Sequence, residues 1–375
     1  MRTVAVIVAT IALLVSGSLT VNSKPESVES YIVVLNDSTA SPAQAAEEHS
    51  SRCRARPGHV YKHALKGYAA EIPSDEVDCV ASDSRVSYME RDQFVTAAVQ
   101  TLPWGIQHIG ADGSSTIAGN GSGAVSNVHI YVIDTGIYKH GDLNRKQHKS
   151  FVLLEPNSDC HGHGTHVSGT SSARDNTTAV VGVAPGAPLH GVKVLGCTGF
   201  GLNSNVIKGV DWVTGNAIKP AVANMSLSGG ISQALDNAVK RSVDSGVFYA
   251  VAAGNEGADA CGSSPARMGT YPGVMTVAAI DSSDAEASFS NYGSCVDVWA
   301  PGVGILSTRR NGGMTTMSGT SMASPHVAGT AALYLSSNIG ASPAAVESAL
   351  AAKAVPMGTL SKDGRPITMV YAGDF

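Results

Sequence analysis

The chain has 375 residues, 43% of them hydrophobic and 15% charged, with a formal charge of −5. That length and composition allow one large or two ordinary globular domains with a sizeable core. The acidic balance gives no basic footprint for nucleic acid, and no block of like charge forms an interaction tail, so neither partner class is expected.

The chain opens MRTVAVIVATIALLVSGSLTVNS, with one Arg, an apolar run from Val4 to Val15, and then small residues. The run is too short to span a bilayer, which takes about 20 apolar residues. It suits the hydrophobic region of a secretory signal, assigned to residues 1–23, with an uncleaved anchor as the alternative. No later segment is apolar and long enough to span, so a soluble, exported, extracellular protein without membrane contact is expected. In that compartment the six cysteines are an even set expected to pair.

YIVVLND (31–37) reads as a strand, SPAQAAEEHSSRCRA (41–55) as a helix, GYAAEI (67–72) as a second strand, and VSYMERDQFVTAA (86–98) as a strand running into a linker. These make a small α+β unit over residues 24–96. From PWGIQHIGA onward, Gly-rich turns separate apolar strands from helices. NVHIYVIDTG, HGVKVLG, VANMSLSG, VFYAVAAGN, VMTVAAI and VDVWAPG are near-continuous apolar runs, the pattern of a mostly parallel sheet buried on both faces. NVIKGVDWVTGNA and SQALDNAVKRSVDSG alternate with them as helices. Residues 97–375 therefore read as an α/β, doubly wound domain flanked by helices, with ligands expected beyond the carboxyl ends of its strands.

DCHGHGTHVSGT (159–170) crowds Cys160, His161, His163 and His166 among small residues, a set able to supply four ligands to zinc. A second reading is catalytic. Asp134 closes the strand of YVIDTG, His163 begins HGTHVSG, and Ser321 sits in SGTSMASPHVAG. A nucleophilic serine needs an imidazole to take its proton and a carboxylate to fix that imidazole's tautomer. Ser321 precedes the helical run MASPHVAGTAALYL, where Pro325 is expected in the first turn. Backbone N–H groups and the dipole of that helix start would face the oxyanion of acyl transfer.

VIDTG, HGHGTHVSGT and SGTSMASPHVAG, in the order Asp, His, Ser, resemble the three signature blocks of subtilases. Supporting blocks are PWGIQHI, VKVLGCTGFG, NMSLSGG, AGNEGADACGSSPA and FSNYGSCVDVWAPG, and they are most similar to the proteinase K and aqualysin branch. Residues 24–96 resemble the inhibitor-type propeptide of those proteases. The resemblance implies that Asp134 orients the imidazole, that His163 is general base and then acid, and that Ser321 is the nucleophile. It implies an oxyanion hole from the Asn255 amide and the Ser321 N–H, and disulfides Cys160–Cys197 and Cys261–Cys295, which gives Cys160 a use other than zinc. Whether Cys53 and Cys79 pair stays open. His166, three residues along the helix, is expected to be a packed or surface histidine.

The same resemblance places substrate backbone edges at TGFGL, with Gly199 and Gly201, and at MSLSG, with Ser226, Leu227 and Ser228 facing Ala253 and Gly254 across a side-chain pocket. Relatives commonly carry Gly at the position of Ser228. No cofactor is expected for catalysis. A structural calcium is, held by the Asp297 carboxylate and the carbonyls of Pro272 and Val274; the alternative is a strand-end Asp that caps a turn. Asn36, Asn120, Asn176 and Asn224 match the glycosylation pattern, Asn224 poorly because it lies at the substrate edge. The expected activity is that of a monomeric serine endopeptidase that takes polypeptide substrates and is held as a zymogen by its own propeptide. A catalytically dead subtilase fold would have lost a triad residue, and none is lost. An α/β-hydrolase would need the order Ser, Asp, His.

Overall fold

The computed structural model describes residues 27–93 and 100–375. The signal expected over 1–23 and the boundary expected between residues 96 and 97 lie outside the described residues. Two compact units form, one before and one after that linker.

The first unit runs β1 (Val28–Leu35), α1 (Pro42–Cys53), β2 (Arg56–Tyr61), β3 (Gly67–Pro73), α2 (Val77–Ala81) and β4 (Val86–Arg91). The strands make an antiparallel sheet in the order β2-β3-β1-β4. Val33, Leu35, Tyr68, Ala70 and Ile72 bury one face of it against Ala45, Ala46 and Cys53 of α1. Helix α1 starts where the Ser41 hydroxyl accepts the Gln44 N–H and Pro42 fills the first turn, where its missing N–H costs nothing. The Cys53–Cys79 disulfide ties the end of α1 to α2, which settles the pairing the sequence left open. Strand β2 was not legible, because Pro57 and Gly58 argue against a strand; its ladder is irregular between Pro57 and Val60.

In the second unit, α3 (Trp104–His108) precedes β5 (His129–Asp134), β6 (Arg145–Ser150), α4 (His163–Ser172), β7 (Leu189–Lys193), α5 (Asn203–Asn216) and β8 (Ala221–Met225). The short strand β9 (Gly229–Gly230) follows, then α6 (Gln233–Asp244), β10 (Val247–Ala252), β11 (Ser263–Ser264), β12 (Val274–Ile280) and β13 (Val298–Pro301). A hairpin of β14 (Ile305–Thr308) and β15 (Met314–Met317) leads into α7 (Thr320–Ser337), α8 (Pro343–Lys353), β16 (Val355–Leu360) and β17 (Pro366–Met369). The main sheet has the order β16-β17-β13-β12-β10-β8-β5-β7-β6 and is parallel except for β16.

Every residue of β7, β8, β10 and β12 is buried, which is why their apolar runs are continuous rather than alternating. Val167 of α4 and Val327, Ala328 and Ala331 of α7 pack in the core on one face. Val206, Val210 and Val213 of α5 and Leu235 and Val239 of α6 fill the other. From β5 the chain leaves for the far edge at β6, returns through α4 to β7, and crosses by α5 to β8 on the other side of β5. Strand β5 is thus the point where the winding changes direction, and the crevice for a ligand opens at its carboxyl end. Asp134 is its last residue.

Candidate active site

Asp134 is completely buried, and His163 is the first residue of α4. The His163 Nδ1–H donates to both carboxylate oxygens of Asp134, at 2.8 and 3.0 Å, which fixes the imidazole with Nε2 as its open face. The Thr135 N–H holds Oδ1 from behind at 2.6 Å. Burial lowers the His163 pKa, but the charge and hydrogen bond of Asp134, with Asp159 further off, outweigh it, and the net shift is upward. Gly164 lets the helix start come this close: a Cβ there would lie 2.1 Å from Gly136 O and 3.0 Å from Asp134 Oδ1.

Ser321 is the second residue of α7, so Pro325 is the sixth and lies past the first turn, contrary to the sequence expectation. A proline in a helix interior leaves the carbonyl four residues back without its N–H donor. Here that carbonyl belongs to Ser321, and the buried Ser226 hydroxyl replaces the missing donor at 2.7 Å. Ser226 Oγ accepts in turn from Asn224 Nδ2 at 2.9 Å, and Asn224 Oδ1 accepts from the Ser324 hydroxyl at 2.8 Å. Sequence reading treated Ser226 only as a pocket wall; its role under the helix follows from the unexpected place of Pro325. The Ser321 hydroxyl donates to Ser226 O at 3.2 Å, and among the described residues no hydrogen bond joins it to His163. Such catalytic hydrogen bonds are often loose without substrate.

Asn255 Oδ1 accepts from the Thr320 N–H at 2.8 Å and the Thr320 hydroxyl at 3.0 Å, which leaves its Nδ2 to point away. A Cβ on Gly319 would lie 3.6 Å from Asn255 Nδ2 and 3.7 Å from Ser321 N, so both donors border the same small space at the start of α7.

Of the substrate edges, Gly199 is half-buried and Gly201 exposed; Ser226 is buried, Leu227 half-buried and Ser228 exposed. Ala253 and Gly254 are buried, and Gly254 has φ +105° with Asn291 Nδ2 only 2.3 Å from where a Cβ would sit. Ser228, Gly229, Gly230, Ala258 and Ser263 line a cavity of about 410 Å³. Two carboxylates that sequence reading passed over, Glu256 and Asp259, also line it, both exposed.

The zinc reading fails on partners. Cys160 is bonded to Cys197, His163 to Asp134, and the His166 Nε2–H to the carbonyls of Ile305 and Thr315 at 3.0 and 3.1 Å. His166 is fully buried, and burial holds its pKa down at about 4. Cys261 and Cys295 form the third disulfide. Asp297 Oδ2 accepts from the Thr276 N–H at 2.7 Å, two residues beyond Val274, and among the described residues no ion pair balances it. Burial pushes its carboxyl up to about 8, with Glu347 adding to the rise. A half-buried carboxylate without a cationic partner among the described residues fits a hard cation. Asn224 is buried and so unsuited to glycosylation, whereas Asn36 and Asn120 are exposed.

The Subtilase family model matches residues 125–367, and the Peptidase inhibitor I9 model matches residues 30–98. The chain is a subtilase. It is similar to an extracellular serine proteinase of Thermus sp. (strain Rt41A), 47% identical over 80% of this chain and 74% of that one. It also resembles alkaline serine exoprotease A of Vibrio alginolyticus, 44% identical over 79% of this chain and 56% of the relative. A solved structure of a cold adapted subtilisin-like serine proteinase matches with a TM-score of 0.61 and 45% identity, covering 67% of this chain and 92% of the other. The subtilase is a serine endopeptidase made as a zymogen, with polypeptide substrates and its own I9 inhibitor unit at the N-terminus. Among the described residues no helix is long and apolar enough to cross a membrane.

Proposed function

We propose that peptide hydrolysis runs through Ser321 as nucleophile, His163 as general base and then acid, and Asp134 as the group that orients the imidazole. The observation that carries this reading is the twofold hydrogen bond from His163 Nδ1 to the buried Asp134 carboxylate, at the carboxyl end of the strand where the sheet changes winding. Ser321 Oγ attacks the scissile carbonyl while His163 Nε2 takes its proton. The oxyanion is received by Asn255 Nδ2 and the Ser321 N–H. His163 returns the proton to the leaving amine, and water then releases the acyl group by the same steps in reverse order of roles. Loss of the Asn255 donor should cost about 10²–10³-fold in rate, a size known from a subtilisin rather than worked from this structure.

Gly199, Gly201 and the Ser226–Ser228 edge would pair with extended substrate backbone. The wall residues Leu227, Ala253 and Gly254 are small or apolar and bring no buried acid, which supports a preference for hydrophobic side chains before the scissile bond. Glu256 and Asp259 are exposed and screened by water, so they supply no buried partner to Lys or Arg. Calcium held by Asp297 with the carbonyls of Pro272 and Val274 would stabilise the fold and take no part in the reaction. Secretion is supported by the relative named as extracellular and by the apolar N-terminal run. The enzyme cuts itself free of the I9 unit near Thr96–Ala97 and acts as a monomer. Ser321→Ala tests the reading: the variant accumulates as uncut precursor and is inactive on casein, whereas maturation in a purified, protease-free refolding reaction would sink the autoprocessing step.

A further inference from the structure

We propose that Asp159 is a positioning residue for peptide hydrolysis, a single buried carboxylate that locks the strand end bearing Asp134 to the helix start bearing His163. The inference rests on the triad reading above.

Asp159 is 2% exposed, and among the described residues it has no ion-pair partner. Its Oδ1 accepts from the Thr135 hydroxyl at 3.0 Å, the His161 N–H at 3.0 Å and the Gly162 N–H at 2.8 Å. Its Oδ2 accepts from the N–H and the hydroxyl of Thr165, at 3.0 and 2.5 Å. Every one of these donors belongs to a residue within two positions of Asp134 or His163. Thr135 follows Asp134, and its hydroxyl oxygen also accepts the Gly164 N–H at 2.9 Å, so the chain Gly164–Thr135–Asp159 closes the gap between β5 and α4 a second time. The first closure is the Asp134–His163 contact itself. That contact needs the two backbones in fixed register, and Asp159 supplies the register.

Charge gives the same residue a second effect. His163 begins α4, where the positive end of the helix dipole disfavours an imidazolium, and the Gly162 cap position offers no side chain to the free N–H groups. A buried anion there offsets the dipole at the moment His163 takes the serine proton. The groups around this imidazole are few. Asp134 faces it from β5, and the His161 ring stands 6.3 Å from its ring. On the elements packed against α4, His326 of α7 is buried with its pKa held at about 4, Lys193 of β7 is ion-paired to Glu155 at 3.2 Å, and β14 has no titratable side chain. His166 stays neutral for the same reason as His326, and His148, near Asp159, is held low by burial. Arg310 lies beside Gly162. Among the described residues, Asp134 and Asp159 are the groups that bring negative charge to His163.

The test is Asp159→Asn in the full chain, which keeps the shape, removes the charge and turns one oxygen into a donor facing donors. Active sites of the purified mature variant are counted with a serine-directed phosphonate, and kcat and KM on a chromogenic peptide are measured across the acid limb. The expected result is a fall of about tenfold or more in kcat per titrated site with KM unchanged, the size of effect that follows from a small misplacement of reacting groups, and an acid limb moved to lower pH. Wild-type kcat per site and an unmoved limb, or a loss only in the number of titrated sites, would overturn the proposal. Should Asp159→Asn give no mature enzyme, Thr135→Val decides: it removes the bridging hydroxyl and leaves the charge, so kcat falls while the limb stays in place, and a wild-type kcat refutes the register argument. His163→Ala separates the two readings. Retained activity there overturns the triad, whereas an inactive His163→Ala beside a fully active Asp159→Asn overturns the Asp159 inference alone.

Discussion

Ser226→Ala removes one oxygen and leaves two buried groups short of a partner. The Ser321 carbonyl loses the Ser226 donor, which Pro325 without an N–H cannot replace, and the Asn224 amide loses an acceptor. Each buried polar group left unpaired costs about 1–3 kcal/mol, so for the two a loss of about 2–6 kcal/mol is expected. For a domain of this size, that lowers the melting temperature by at least about 4 °C. The assay is calorimetry or a urea melt on mature enzyme blocked by a serine-directed inhibitor, which prevents self-digestion. The reasoning also makes a sharper demand. Pro325→Ala restores an N–H one turn from the Ser321 carbonyl, so in the Ser226→Ala background it should recover about 1 kcal/mol more than it does in the wild type. The effect of Pro325→Ala on the unfolded chain is common to both backgrounds and cancels. Equal costs of Ser226→Ala with and without Pro325 would refute the claim that this hydroxyl replaces the helix hydrogen bond.

Chelation should lower the melting temperature of the mature enzyme, because calcium bound to the folded form adds RT ln(1 + [L]/Kd); Asp297→Ala should lose most of that sensitivity, and an unchanged chelator response would place the ion elsewhere. His166, His190 and His326 are buried with pKa values held at about 4, against 6.5 in the unfolded chain. Their contribution to stability is therefore complete above pH 6.5 and lost as pH falls from there through 4. A series of melts across that range checks this, and stability that rises with acid would contradict it. In a peptide-library profile, hydrophobic residues before the scissile bond should gain about 1.5–3 kcal/mol of burial, and dominant cleavage after Lys or Arg would sink the pocket assignment. The Ser228 side chain, where relatives commonly have Gly, should narrow the pocket mouth, so Ser228→Gly should raise the Phe-to-Leu ratio, and an unaltered ratio would contradict that narrowing alone.

The central strands and α5 and α6 were legible because burial on both sheet faces, or on one helix face, leaves a periodic apolar record in the sequence. Asp134 and His163 were legible from their places where an apolar strand or a Gly-rich turn ends. Polar edge strands were not: β6 reads RKQHKS, with no apolar run to mark it, and β16 alternates around Pro356 and Gly358. Interactions that substitute for a missing backbone bond also leave no periodic trace. The Ser226 hydroxyl under Ser321 could be sought only once Pro325 was known to lie inside the helix. Asp159 was in plain view beside three histidines, but its importance lies in five donors brought together from residues 135 to 165. Glu256 at the cavity wall was missed because an exposed carboxylate in AGNEG has no pattern to set it apart.

The most direct measurement of the central claim is where a serine-directed phosphonate becomes attached. Mature enzyme is titrated to complete inactivation, digested, and the adduct located by mass spectrometry, with His163→Ala, cut free of its propeptide by a trace of added wild-type enzyme, treated in parallel. The account predicts one adduct per molecule on Ser321, formed in step with loss of activity, and little labelling in the His163→Ala protein because the imidazole that takes the Ser321 proton is gone. An adduct on another residue, or full activity remaining with Ser321 modified, would contradict it.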